Sequence, residues 1–119
     1  MYTPQVFEHF QHPRNAGELP DATARVEVTN PVCGDVMQLA ARLENGVVAA
    51  VRFKTSGCVP AIAAGSLLTE LMLGRRLDEL AAITDQEVSE GLGGLPPASH
   101  HAAQLAADAL CALLAELPP

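Results

Sequence analysis

Two alternating runs joined by Asn45-Gly46 constrain this chain more than any other feature. In Val36–Glu44, Met37, Leu39, Ala41 and Leu43 alternate with Gln38, Ala40, Arg42 and Glu44. In Val47–Lys54, Val47, Ala49, Val51 and Phe53 share one face, with Arg52 and Lys54 on the other. A period of two sends successive side chains to opposite faces of a pleated strand. Asn-Gly supplies the two left-handed residues of a tight hairpin turn. An earlier run, Ala24–Thr29, sets Val26 and Val28 against Arg25, Glu27 and Thr29. The expectation is an antiparallel sheet of about three strands.

The rest of the chain reads as helix. Thr3 and Pro4 suit a helix start, and Val6, Phe7 and Phe10 follow at helical spacing; His9 and His12 read as exposed. Pro60 to Leu73 is almost wholly apolar, which predicts a helix buried on most sides, with Gly74 as its stop. Leu77, Leu80 and Ala81 predict a short helix, and Thr84-Asp85-Gln86-Glu87 has the form of a capping box for another. A last helix is expected from near Ser99 to about Glu116, with Ala102, Leu105, Ala106, Ala109, Leu113 and Leu117 as its apolar face. The strand patterns thus fall in the first half of the chain and the main helical ones in the second.

Hydrophobic residues make up 49% of the chain while aromatics are 3% and Trp is absent, so the core must be aliphatic. The net charge is −7 with only seven Lys and Arg, scattered along the sequence, which argues against a nucleic-acid partner. Ala61 to Leu73, the longest apolar stretch, is interrupted by Ser66, Thr69 and Glu70 and is too short for a bilayer, so no membrane association is expected. The first residues lack the pattern of a secretion signal, and a cytoplasmic, reducing location is expected. There the three cysteines serve as thiols or ligands rather than disulfides.

Cys33 sits between two strands in Asn30-Pro31-Val32-Cys33-Gly34-Asp35, where a thiol and a carboxylate flank a glycine and can face one point. Both are metal ligands, and the thiolate is also a nucleophile for sulfur transfer. A turn with a buried cysteine explains the same tripeptide. Cys58, in Ser56-Gly57-Cys58-Val59-Pro60, precedes the long helix, whose N-terminal amides and dipole are expected to lower its thiol pKa. Its alternative is a small residue buried in a strand-to-helix joint. His100 and His101 open the last helix, where imidazole is held neutral and able to ligate, though such pairs are commonly surface decoration. Cys111 lies ten residues beyond His101, about 15 Å along a continuous helix, too far to share a site, and is expected to pack as a small apolar residue.

In this order the pieces resemble the IscU/NifU-type iron–sulfur cluster scaffold family, from Tyr2 to about Leu114. Val6-Phe7-Glu8-His9-Phe10 with His12-Pro13-Arg14-Asn15-Ala16-Gly17 is similar to the family's N-terminal stretch. Cys33-Gly34-Asp35-Val36-Met37 resembles its first ligand motif. Arg52-Phe53-Lys54-Thr55, Gly57-Cys58 and Ala61-Ile62-Ala63 resemble the second. Leu95-Pro96-Pro97, His101, Leu105-Ala106 and Asp108-Ala109 resemble the third. The resemblance implies an α+β fold, a three-stranded antiparallel sheet with helices packed against it, forming one scaffold-like domain over residues 1–119 that holds a [2Fe-2S] cluster or iron, with zinc (Zn²⁺) as an alternative occupant. Cys33, Asp35, Cys58 and His101 would be the ligands, with His100 as an alternate. It further implies a cysteine desulfurase and apo iron–sulfur acceptor proteins as partners.

The chain departs from that pattern in three places. The family's third cysteine falls at Ala102, a residue that can neither ligate nor carry sulfur. The chaperone-docking run becomes Leu95-Pro96-Pro97-Ala98-Ser99, without the family's valine and lysine, which argues against recognition by an Hsp70-type chaperone system. Val59-Pro60 after Cys58 is expected to stiffen that loop. The first reading is therefore a non-enzymatic scaffold or carrier. The alternative is a degenerate scaffold homologue acting as a zinc-binding or regulatory module docking on a desulfurase. A thiol sulfurtransferase using Cys58, with His101 as base, ranks last.

Overall fold

The structure is a computed structural model that describes residues 2–118. Its elements run α1 (Pro4–Gln11), β1 (Ala24–Thr29), β2 (Val36–Glu44), β3 (Val47–Ser56), α2 (Val59–Met72), α3 (Leu77–Leu80), α4 (Asp85–Gly91) and α5 (His100–Glu116), with a single 3₁₀ turn at Pro97–Ser99. The strands form one antiparallel sheet in the order β1-β2-β3. Asn45 and Gly46 take φ of 55° and 76°, the left-handed pair that the hairpin turn requires. The α+β expectation holds.

One face of the sheet carries the core. Met37, Leu39, Ala41, Val51 and Phe53 are buried, and α2 and α5 pack against them through Ala64, Leu68, Leu105, Ala109 and Leu113. The phase of β3 differs from the simple alternation. A bulge at Arg42/Leu43 pairs Arg42 with Ala50 but Leu43 with Val48, leaving Ala49 without an opposing residue. Val48 is therefore buried while Ala49 is exposed, and Val47 and Ala49 do not join Val51 and Phe53 in the core. An extra residue on one strand inverts the in-out pattern on its far side.

The chain's own backbone pairs with the outer edge of β3 at two points. Phe53 donates its amide to the Asn15 carbonyl and accepts from the Gly17 amide, each at 3.0 Å. At the other end Val48 donates to Arg75 at 2.9 Å and accepts from Gly74 at 3.0 Å. These two contacts interrupt the run of backbone groups that a second strand would pair with.

The helix ends follow the chemistry of their caps. The Thr3 hydroxyl accepts the Val6 amide at 3.1 Å, and the Thr84 hydroxyl accepts the Glu87 amide at 3.1 Å. Three expectations are corrected here. His9 is buried, 7% exposed, because α1 turns Val6 and His9 toward α2 and leaves Phe7 and Phe10 partly in solvent. Cys111 is exposed, because α5 buries the stripe Leu105, Ala106, Ala109, Leu110 and Leu113, and position 111 falls outside it. Val59-Pro60 forms the first turn of α2, with Pro60 buried, and is not a loop.

Candidate metal centre

The four residues expected to converge lie near one another, drawn from three joints of the fold. Cys33 and Asp35 lie in the β1–β2 connection. Asn30 organises it: its side-chain oxygen accepts the amides of Val32 at 2.8 Å and Cys33 at 3.3 Å. The Gly34 amide donates to the Asn30 carbonyl and the Asn30 amide donates to the Asp35 carbonyl, both at 2.8 Å. Gly34 has φ of +79°, which a side chain would resist. The result is a closed loop whose tip, Val32, is 93% exposed, with Cys33 exposed beside it. Asp35 points the other way and is 9% exposed.

Cys58 is the N-cap residue of α2, at the end of β3. Its thiol donates to Asp35 Oδ2 at 3.1 Å, and its amide donates to the same oxygen at 3.4 Å. His101, in the first turn of α5, places Nε2 3.5 Å from Cys58 Sγ and 3.9 Å from Asp35 Oδ2. Ligand atoms of Cys33, Asp35 and His101 all lie within 4.8 Å of one another. Cys33 and Cys58 thus both lie beside the Asp35–His101 pair, and two thiols, a carboxylate and an imidazole are donor types that suit a tetrahedral metal ion.

His100 does not join them. Its Nε2 lies 3.2 Å from Asp85 Oδ2 at the start of α4, and both side chains are partly exposed. Successive residues on a helix point about 100° apart, so only one of the pair can face the centre. Ala102 is completely buried and contributes no donor atom.

The electrostatics of the centre differ from what a helix N-terminus alone predicts. Burial pushes the Cys58 thiol up, and the hydrogen bond to Asp35 pushes it further; the Ala61 amide in the first turn pulls it down but is outweighed. The expected lowering of the Cys58 thiol pKa is thus corrected. For Asp35, burial acts to raise the pKa, but hydrogen bonds from the Cys58 thiol and amide and from the Cys33 thiol, with His101 nearby, hold the carboxyl below its usual range. Asp35 is thus a carboxylate solvated by its neighbours' donors.

A second polar cluster, absent from the sequence reading, lies between α1 and α2. The Ser66 hydroxyl lies 2.7 Å from His9 Nδ1 and accepts the Arg14 amide at 2.9 Å. Glu70 Oε1 lies 3.4 Å from His9 Nε2. The polar breaks Ser66 and Glu70 in an apolar helix, four residues apart, were the signal for it. Ser66 is completely buried, so the cluster docks α1 and offers no nucleophile.

Fold and site together define a small α+β protein with a two-thiol, carboxylate and imidazole centre at the joints of its sheet. The chain belongs to the NifU-like N terminal domain family, whose model matches residues 1–118. It is 44% identical over 110 residues to iron-sulfur cluster assembly scaffold protein IscU 1 of Archaeoglobus fulgidus, covering 92% of this chain and 72% of that protein. It is 40% identical over 119 residues to the iron-sulfur cluster assembly scaffold protein IscU of Escherichia coli K12, covering 97% and 92%. Among solved structures, a nitrogen-fixing NifU-like protein (N-terminal) from Brucella abortus superposes with a TM-score of 0.79 at 17% identity, covering 97% of this chain and 92% of that one. At that identity the likeness is one of fold.

Proposed function

We propose that this chain is a scaffold or carrier that holds iron or an iron–sulfur cluster, as cargo, on Cys33, Asp35, Cys58 and His101. The observation that carries this reading is the convergence of their ligand atoms: three within 4.8 Å of one another, with Cys58 Sγ 3.1 Å from Asp35 and 3.5 Å from His101. Relatives at 40% identity or more that carry the name iron-sulfur cluster assembly scaffold support it.

Three of the donors have distinct parts. Cys33, on an exposed loop tip, is the group that incoming cargo meets first. Cys58 is half-buried and anchored on α2. Asp35 takes the hydrogen-bond donors of both thiols while the centre is metal-free; when the thiols deprotonate it becomes an oxygen donor. Oxygen is a hard partner for a cluster built on soft thiolates, so cargo held partly by Asp35 stays exchangeable. A cysteine desulfurase as sulfur source and apo iron–sulfur proteins as recipients complete the role. With Ala98-Ser99 in the chaperone-docking run, an Hsp70-type system is not assigned.

Ala102 supports a second reading. With two thiolates rather than three, the donor set equally suits tetrahedral zinc, and the chain then acts as a zinc-binding or regulatory module on a desulfurase. Anaerobic purification with assay of iron, sulfide and zinc, followed by reconstitution with a desulfurase and iron, separates the two. A visible charge-transfer spectrum that disappears in Cys58→Ser is the scaffold result. Bound zinc with no cluster is the module result. If neither metal binds and Cys33→Ser changes nothing, the shared centre is wrong.

A further inference from the structure

Gly57 lies directly against Asp35. A Cβ placed on it would come within 2.5 Å of Asp35 Cγ, 2.7 Å of Oδ1 and 2.9 Å of Cβ. Carbon atoms in ordinary contact stand about 3.5–4.0 Å apart, so a side chain at position 57 and the present position of Asp35 exclude each other. On its other side the carboxylate is held by the Cys58 amide and thiol and faces His101. The encroached atoms include Asp35 Cβ, beside the backbone, so turning the carboxylate alone does not relieve the clash. Gly57 is not among the glycines with positive φ, unlike Gly34, so alanine is admissible there on backbone grounds. What its missing side chain provides is room for a carboxylate.

We infer that Gly57 is a positioning residue for the centre: it seats Asp35 between the end of β3 and the Cys58–His101 pair. Any side chain there drives the carboxylate off both partners without touching a metal. The inference rests on the reading of Asp35 as a donor. Displacing a group that supports or supplements a metal's ligands weakens affinity by about 10- to 100-fold, and that is the loss expected for Gly57→Ala.

The test uses the full chain with Gly57→Ala, Asp35→Ala and the double variant. Each is titrated anaerobically with Co²⁺ and followed by its visible spectrum, and the Cys58 amide resonance is recorded in the metal-free proteins. Gly57→Ala is expected to weaken Co²⁺ binding as Asp35→Ala does. The double variant should bind no more weakly than Asp35→Ala alone. The Cys58 amide should move in the same direction in both single variants, since both remove its carboxylate acceptor. Additive losses, or wild-type Co²⁺ affinity in Gly57→Ala, overturn the inference. If Gly57→Ala does not fold, Gly57→Ala combined with Asp35→Gly must restore the fold, and failure to do so also overturns it. Unchanged binding in Asp35→Ala sinks the donor reading itself; weakened binding there with none in Gly57→Ala sinks only the positioning role.

Discussion

The Cys58 thiol donates to Asp35 Oδ2 across 3.1 Å, tying the first turn of α2 to the β1–β2 loop. Burial and this hydrogen bond both favour the protonated thiol. Asp35→Ala removes the second cause and leaves the first, so the thiolate fraction of Cys58 near neutral pH should rise. Alkylation by iodoacetamide, followed by mass spectrometry in a Cys33→Ser, Cys111→Ser background, should be several-fold faster with Asp35→Ala. An unchanged rate would mean that the carboxylate does not restrain the thiol.

The two adjacent histidines should behave differently. His101 lies 3.5 Å from Cys58 Sγ, while His100 is paired with Asp85. His101→Ala should weaken Zn²⁺ binding about tenfold or more, within the range seen for groups that support metal sites. His100→Ala should leave it unchanged. Competition with a chromophoric chelator measures both, and equal losses would show that the start of α5 is wound differently.

His9 gives the fold a pH dependence of definite sign. Burial holds its pKa below the ordinary value of 6.5, with Arg14 acting in the same direction and Glu70 opposing. Above pH 6.5 the ring is neutral in both folded and unfolded chains, and this contribution is fully present. As the pH falls below 6.5 the unfolded chain takes up a proton that the folded chain resists, so stability declines until the lower folded pKa is passed. Urea midpoints between pH 5 and 8 should fall toward acid in the wild type. The slope should be shallower in His9→Asn; parallel profiles would remove His9 as the cause.

Gly65 tests how tightly α2 sits on the sheet. Alanine in a helix interior gains about 1 kcal/mol over glycine. Here its Cβ would lie 2.5 Å from Phe53 Cδ2 and 2.7 Å from Cε2, on a buried ring packed under the helix. Overpacking of this kind costs about 1–3 kcal/mol, so the clash should win. Gly65→Ala should lower the thermal midpoint by a few degrees, and a raised midpoint would show that the ring yields freely.

Much of this is legible in the sequence, for physical reasons that differ from residue to residue. Met37, Leu39 and Ala41 announced their face through local period, and Asn45-Gly46 announced the turn, because both signals are carried by adjacent residues. The bulge at Arg42/Leu43 depends on how two strands meet, and no single strand records it. His9 was misjudged because its partners are 57 and 61 residues further along the chain. The direction of the Cys58 shift was missed for a similar reason, since burial, its first cause, arises only on packing, and the carboxylate that adds to it sits 23 residues away. Convergence of Cys33, Asp35, Cys58 and His101 was legible through the family resemblance, and the sheet accounts for the first three by bringing the end of β1, the start of β2 and the end of β3 to one end. The room at Gly57 was not, since a missing side chain signals nothing until its neighbour is in place.

The centre draws on three joints: the β1–β2 loop, the end of β3 and the start of α5. No two adjacent elements alone can assemble it, so cargo bound there would act as a rivet between the sheet and α5. A ligand taken up only by the assembled form, at a hundred times its Kd, adds about 2.7 kcal/mol to unfolding, a large share of what a chain this size possesses. Loading would then stiffen the protein and delivery would slacken it. A recipient or protease sensitive to that slackness would distinguish a full carrier from a spent one without inspecting the metal.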